Sequence, residues 1–278
     1  MNIRKPAVAG QFYPGERSNL VNMLDELFAS VEMDSLPEDI HISGLIVPHA
    51  GYVFSGKQAA KAYQYIENRT YDVVCIISPS HREYFPAVSI YPGIAYKTPL
   101  GICPVDIKAR ELALGCNGLI SGNEGHHGEH SLEVQLPFLQ YLFGDIPILP
   151  LVMGDQSKDS IEETGGCVKK LYETYGRKIL FVASSDLSHF HDSHRAELMD
   201  AKFISLLDKA DIIGMLEKLD LNEVEACGAG PIIAILKGLS INKDEIKTLG
   251  YSHSGEVLHD NDSVVGYTSA LIMKTFED

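Results

Sequence analysis

Three apolar segments of this sequence each lead directly into residues that can bind a metal or transfer a proton. LIV is followed by PHAGY, which contains His49, and VVCIIS is followed by PSH, which contains His81. KILFVA is followed by SSDLSH, which contains Asp186 and His189. Neutral imidazole is the commonest transition-metal ligand among side chains. If the three segments end at one place in the fold, they predict a metal site there.

The apolar segments have the length and composition of buried strands, and amphipathic stretches alternate with them. We predict strands at Ile42–Val47, Val73–Ile77, Ile146–Val152, Lys178–Ala183, Ile246–Tyr251 and Val264–Leu271. We predict helices at Lys57–Ile66, Leu132–Leu142, Ser160–Tyr175, His194–Leu207 and Pro231–Leu239. Proline and glycine interrupt the stretch Ala87–Pro104, which we predict to be an antiparallel ribbon or a long loop.

Strands that are apolar on both faces and alternate with helices are typical of a largely parallel sheet covered by helices. We therefore expect one α/β domain over residues 1–278, with a largely parallel or mixed central sheet flanked by helices. Ligands of such sheets bind beyond the carboxyl ends of the strands. His49, His81, Asp186 and His189 would all lie at that edge.

A cysteine offers a further metal ligand. Cys227 lies in EACGAGP, with glycines around it and no apolar run containing it, at the expected start of a helix. The dipole and the free N–H groups of a helix start lower the pKa of a thiol. We expect the other four cysteines to be small buried hydrophobes with free thiols, because the total of five cysteines is odd and no C-x-x-C occurs.

The segment GHHGEHSLE contains a second group of polar side chains. A helix that began near Ser131 would place His130 and Glu133 in or beside its first turn. Two interpretations stay open: a polar loop that caps the helix, or a pair of side chains that supports the site or contacts a substrate. We expect His126 and His127 to be exposed loop residues.

Composition excludes several classes of protein. The chain of 278 residues is 45% hydrophobic and 22% charged, which excludes a disordered or fibrous chain. Its formal charge of −15 and the absence of a basic patch argue against a nucleic-acid partner. No apolar run reaches the length of a membrane span, and the N-terminal segment does not resemble a signal peptide, so we expect a cytoplasmic protein. The sequence contains no P-loop, H-E-x-x-H helix or G-x-S-x-G elbow.

Several motifs together resemble the Memo family. They are RKPAVAGQFYP near the N-terminus, then VPHAGY, SPSH, HSLEVQLPFL, SSDLSH and EACGAGP in that order, with YTSA close to the C-terminus. The resemblance implies a fold similar to that of class III extradiol dioxygenases, which are non-haem iron enzymes. Bacterial and archaeal members are often named as one component of a three-part system with a radical-SAM protein and a third small protein.

The resemblance also implies a set of site residues. The metal would be held by His49, His81 and Cys227, with Asp186 and His189 beside it. The dioxygenases complete their site with a carboxylate where this pattern offers a thiolate, which argues against ring cleavage. A thiolate favours softer or more covalent metal sites, such as Cu(I), Zn or a thiolate-bound Fe(II).

Three functions are consistent with these residues. The first is a mononuclear redox protein or oxygenase, with Fe(II) as the preferred metal and copper or zinc as alternatives, in which His189 is the general acid or base and Asp186 orients it or a water. The second is a non-catalytic binding module that holds a small molecule or a peptide in the cleft, since animal relatives are described as signalling mediators. The third is a zinc hydrolase.

Overall fold

The computed structural model describes residues 2–37 and 40–275. Its helices are α1 (Arg17–Ala29), α2 (Tyr52–Gln64), α3 (Ile107–Leu114), α4 (Leu136–Phe143), α5 (Lys158–Tyr175), α6 (Ser193–Asp208), α7 (Ile212–Asp220), α8 (Ala229–Gly238) and α9 (Gly255–Leu258). Its strands are β1 (Ile3–Arg4), β2 (Ile40–Val47), β3 (Val73–Pro79), β4 (Val88–Ile90), β5 (Ala95–Thr98), β6 (Gly101–Pro104), β7 (Leu119–Ser121), β8 (Ile148–Met153), β9 (Ile179–Ser184), β10 (His189–His191), β11 (Ile246–His253) and β12 (Val264–Thr275).

The central sheet is mixed, with a parallel middle. Across the described ranges its strand order is β10-β12-β2-β9-β3-β8-β4-β7, and β11 also pairs with β12. Strands β2, β9, β3 and β8 run parallel, whereas β12 is antiparallel to β2 and β4 is antiparallel to β8. The carboxyl ends of β2, β9 and β3 therefore lie side by side at one edge.

Both faces of this sheet are buried, because helices cover each of them. Successive residues of β3 point to opposite sides: Val74 and Ile76 belong to one apolar cluster, and Val73, Cys75 and Ile77 belong to the other. Helices α1, α2 and α4 supply the first cluster, and α5, α6 and α8 supply the second. The predicted α/β fold with a mixed sheet flanked by helices is confirmed.

The stretch Ala87–Pro104 divides between two sheets. Strand β4 joins the central sheet, and β5 and β6 form an antiparallel hairpin in a small sheet with β1. The prediction of an antiparallel ribbon is therefore confirmed for β5 and β6, and the N-terminal residues pair with it.

One predicted helix begins later than expected. A short 3₁₀ turn covers Glu133–Gln135, and α4 begins at Leu136. Pro137 lies in the first turn of α4, where the missing N–H of proline costs no helical hydrogen bond. His130 and Glu133 therefore precede α4, so the geometry of that helix does not set the directions of their side chains. No helix within the described ranges is long and apolar enough to cross a membrane.

Candidate metal centre

The adjacent carboxyl ends of β2, β3 and β9 bring the predicted histidines together. His49 follows β2 by two residues and His81 follows β3 by two residues. His130 comes from the segment before α4. Ligand atoms of His49, His81 and His130 all lie within 4.8 Å of one another. The ring centroids are 4.8 to 5.4 Å apart, so the three imidazoles surround one point.

The hydrogen bonds of Ser184 determine which nitrogen of His49 carries the proton. The Ser184 hydroxyl donates to the Ser131 carbonyl (2.6 Å) and accepts from Gln135 Nε2 (2.8 Å). A hydroxyl has a single proton to donate. His49 Nδ1, 2.9 Å from the same oxygen, must therefore be the donor. This tautomer leaves a lone pair on His49 Nε2, as a metal ligand requires.

A single carboxylate fixes the other two rings in the same way. Glu129 Oε1 lies 3.1 Å from His81 Nδ1 and 3.1 Å from His130 Nδ1. Burial opposes ionisation of Glu129, but the hydrogen bonds from His130 and His81 outweigh it and hold the pKa of this carboxyl well below its usual range. An ionised carboxylate can only accept hydrogen bonds, so both Nδ1 atoms donate. In the neutral form of each ring, the lone pair is therefore on Nε2.

His49 is neutral at ordinary pH. Its side chain is 1% exposed, and burial together with nearby His81 and His130 lowers its pKa well below the usual value. Its Nε2 lies 4.0 Å from Asp186 Oδ2, but a neutral ring does not form an ion pair at this distance. Neutral imidazoles are the state in which histidine binds metals.

The structure brings Cys227 to the same point. Its Sγ is 3.1 Å from His49 Nε2 and accepts a hydrogen bond of 3.2 Å from the Asp186 backbone N–H. Cys227 lies two residues before α8, as predicted, but the expectation of a lowered thiol pKa is wrong. Burial and the nearby Asp186 carboxylate raise the pKa of Cys227, which outweighs the effect of the helix start. A metal would therefore have to displace the thiol proton.

Asp186 and His189 also lie beside this point. Asp186 Oδ1 accepts a hydrogen bond of 2.7 Å from the His49 backbone N–H, and burial raises the pKa of this carboxyl. His189 lies close enough to Asp186 and His49 for a charge on its ring to lower the pKa of both groups. The His189 backbone N–H donates to Glu225 Oε2 (3.1 Å), which anchors the start of β10. Asp186 thus holds the loop that carries His49, and the orienting role predicted for it toward His189 stays a prediction.

Sequence reasoning missed part of the centre. The sequence pattern does not distinguish a capping loop from a site role for His130. It also does not single out Glu129, although the two residues are neighbours in GEHSLE. Glu133 lies elsewhere: its buried carboxylate pairs with Arg4 and accepts from the Tyr13 hydroxyl. The expectation that His126 is exposed is wrong, because its ring is buried and hydrogen-bonded to Tyr96, whereas His127 is exposed as expected.

A solved structure and several curated proteins are similar to this chain. An uncharacterized protein from Escherichia coli K12 superposes with a TM-score of 0.53 at 14% identity, covering 83% of this chain and 99% of that one. This likeness concerns the fold alone.

The sequence relatives are much closer. A MEMO1 family protein of Methanosarcina barkeri is 40% identical, with 97% of this chain and all of the relative covered. Another from Thermoplasma acidophilum is 38% identical over 96% of this chain and 97% of the relative. The family of Memo-like proteins matches residues 4–271, which include every side chain of the candidate metal centre. By these full-length similarities, the chain belongs to the Memo family.

Proposed function

We propose that this protein binds a single transition metal at the candidate metal centre and uses it for redox chemistry. One observation carries the proposal: hydrogen bonds to Ser184 and Glu129 occupy the Nδ1 atoms of three clustered imidazoles, which leaves Nε2 of each ring as its ligand atom. A hydrogen-bonded network that served packing alone would not need to hold three imidazoles by Nδ1 with their ligand atoms in one place. Metal-ligating histidines in proteins almost always donate their other ring N–H to such partners.

We infer that His49, His81 and Cys227 are the metal ligands, with His130 as a neighbouring imidazole available to the same ion. The position of Cys227 Sγ, 3.1 Å from His49 Nε2, supports the thiolate, and the 4.8 Å cluster supports His130. Both sets share His49 and His81. The two remaining side chains are therefore the ones that an experiment must separate.

We propose Fe(II) as the metal because of the resemblance to class III extradiol dioxygenases, with copper and zinc as alternatives. Imidazole binds iron, copper and zinc, and thiolate favours softer ions such as Cu(I) and Zn. A bound iron or copper would supply electron transfer or oxygen chemistry to a substrate in the cleft. If the bound metal were zinc, it would activate a water molecule for hydrolysis and would not supply redox chemistry.

The side chains around the metal would then handle the proton and the substrate. We propose that His189 gives or takes the proton, because imidazole exchanges protons near neutral pH. Asp186 would hold the His49 loop and face the same space. The resemblance to class III extradiol dioxygenases supports a small-molecule substrate, and a peptide is the alternative occupant. We also propose a cytoplasmic location and, from the family resemblance, a radical-SAM protein and a third small protein as partners.

The test is the metal content of untagged protein purified without chelator. We expect near-stoichiometric iron or copper in the wild type and its loss in His49→Ala and His81→Ala. His127→Ala is the matched control, because His127 is an exposed histidine of the same polypeptide segment as His130. Zinc in place of iron or copper would favour hydrolysis. Wild-type protein that stays empty and also refuses Fe(II), Cu(I) and Zn(II) on reconstitution would overturn the proposal and favour a metal-independent binding module.

A further inference from the structure

We propose that Glu129 is a positioning residue that presents two metal-facing imidazoles through a single carboxylate oxygen. Its role would be to keep the ring protons of His81 and His130 on Nδ1, so that both Nε2 atoms face the same ion. The inference rests on the proposed function for its consequence in metal binding. Its structural part, the proton position on each ring, can be measured without a metal.

The contacts of Glu129 connect both histidines by side chain and by backbone. Oε1 accepts from both Nδ1 atoms at 3.1 Å, from the His130 backbone N–H at 2.9 Å and from the Ser131 backbone N–H at 3.1 Å. Oε2 accepts from the His81 backbone N–H at 2.7 Å. These five donors give the carboxylate one orientation. His81 and His130 come from different loops, so Glu129 is also the bridge that joins those loops.

The backbone of Glu129 is itself anchored. Arg4 Nη2 donates to the Glu129 carbonyl at 2.5 Å, and Arg4 Nε donates to the His126 carbonyl at 3.0 Å. The Arg4 guanidinium also pairs with the buried carboxylate of Glu133. Glu129 is only 2% exposed, so water does not compete for its oxygens. Arg4 therefore fixes the backbone of Glu129, and the Glu129 carboxylate orients the rings of His81 and His130.

A neutral amide cannot reproduce this role. The glutamine in Glu129→Gln has one oxygen acceptor and one NH₂ donor. With its oxygen at the Oε1 position, the NH₂ group would face the His81 backbone N–H, so two donors would meet. In the opposite orientation the NH₂ group would face both Nδ1–H groups. The first arrangement leaves both Nδ1–H groups a neutral acceptor, which holds their protons less strongly than an ionised carboxylate does. The second arrangement removes that acceptor, so the preference for a proton on Nδ1 is weakened in both.

The experiment uses full-length protein and two measurements on Glu129→Gln. Long-range ¹⁵N–¹H NMR of the histidine rings in metal-free protein reports which nitrogen carries the proton, with His81→Ala and His130→Ala spectra for assignment. Competition titration with Fe(II), and with Co(II) as a second probe, reports metal affinity. Asp106→Asn is the control, because Asp106 is a partly buried carboxylate that caps α3 and hydrogen-bonds Ala109 and Tyr175, outside the centre.

We expect wild-type His81 and His130 to carry the proton on Nδ1, and Glu129→Gln to move it to Nε2 in at least one ring. Metal affinity should fall at least about tenfold, as for other partners of ligating histidines, while Asp106→Asn keeps the wild-type affinity per folded molecule. The inference would be overturned if the wild-type rings carried the proton on Nε2 instead of Nδ1. It would also be overturned if Glu129→Gln folded with unchanged tautomers and unchanged metal affinity. The wild-type spectrum provides a test even if the variant does not fold. If the tautomers change but wild-type protein binds neither ion, the structural part stands and the proposed metal function fails.

Discussion

His49 Nε2 and Cys227 Sγ lie 3.1 Å apart although 178 positions separate them in the chain. His49 comes from the loop after β2, and Cys227 comes from the turn before α8. Asp186 connects the two loops by two hydrogen bonds. Its carboxylate accepts from the His49 backbone N–H, and its own backbone N–H donates to the Cys227 sulfur. The contact therefore depends on the loop after β9, which lies between them.

Cobalt substitution should distinguish Cys227 from His130 as a metal ligand. A thiolate bound to Co(II) gives an intense near-ultraviolet charge-transfer absorption that imidazole ligands do not give. We expect this absorption in the wild type and in His130→Ala, and its loss in Cys227→Ser. Absorption spectra of the reconstituted proteins provide the measurement. A band that survives in Cys227→Ser would remove this thiol from the ligand set.

Ser184→Ala should weaken both the fold and the metal centre. The substitution removes the hydroxyl that accepts from His49 Nδ1–H and from the Gln135 amide. These two buried N–H donors are then left without that hydrogen-bond partner. We expect a loss of about 1–3 kcal/mol in the free energy of unfolding and a loss of metal affinity on the order of tenfold. Urea unfolding and metal competition measure these two effects.

Ser55→Ala is the control for this prediction. Ser55 is equally buried, but its hydroxyl donates to the Ala50 carbonyl and bonds no imidazole nitrogen. Its metal affinity should equal that of the wild type. A Ser184→Ala variant that binds metal as tightly as Ser55→Ala would contradict the tautomer assigned to His49.

Glycine at position 228 is required by a close backbone approach. A Cβ atom there would lie 2.2 Å from the Ser184 carbonyl oxygen and 2.7 Å from Ser185 Cβ. Gly228→Ala must therefore push the Cys227 turn away from β9. We expect a lower melting temperature and weaker metal binding, measured by calorimetry and competition titration.

Gly166→Ala is the opposite case and provides the comparison. Gly166 lies inside α5, and a Cβ atom there would meet nothing within 4 Å. Alanine in a helix interior is about 0.5–1 kcal/mol more favourable than glycine, so this variant should melt at a higher temperature. If Gly228→Ala behaved like Gly166→Ala, the turn before α8 would not be tightly packed.

Stability should fall in mild acid because of His126. Burial is the main cause that lowers the pKa of this ring to about 3, whereas the unfolded chain has an ordinary value near 6.5. Between these values the unfolded state binds more protons, so stability decreases as the pH falls through this window. The contribution is fully present above about pH 6.5.

His126→Asn isolates the contribution of this ring, because asparagine does not titrate. In chelator-treated protein, the difference in unfolding free energy between wild type and variant should shrink from pH 7 to pH 5. Urea titrations at the two pH values measure it. A difference that stays constant would mean that His126 is not buried in its neutral form.

Local sequence patterns predicted the central strands and two histidines of the candidate metal centre. Apolar runs bounded by polar residues identified the strands that became β2, β3, β8 and β9, since a strand buried on both faces needs apolar residues at nearly every position. Polar side chains just after those runs identified His49 and His81. The resemblance to the Memo family, which the comparisons confirm, depends on motifs in the same positions.

Only the tertiary structure decided how these residues meet. His130 joins the imidazoles because the segment before α4 crosses the edge of the sheet, and Glu133, three residues later, turns away to Arg4. Sequence spacing could not separate these two outcomes, because the helix that would have set their directions begins only at Leu136.

The state of each ionisable group was likewise a property of the fold. The position of Cys227 at a helix start suggested a lowered thiol pKa, yet burial beside Asp186 raises it. The tautomers of the three imidazoles depend on Ser184 and Glu129, whose partners come from separate loops. Local sequence specifies which side chains are present, whereas burial and distant hydrogen-bond partners determine their charge and the direction of their lone pairs.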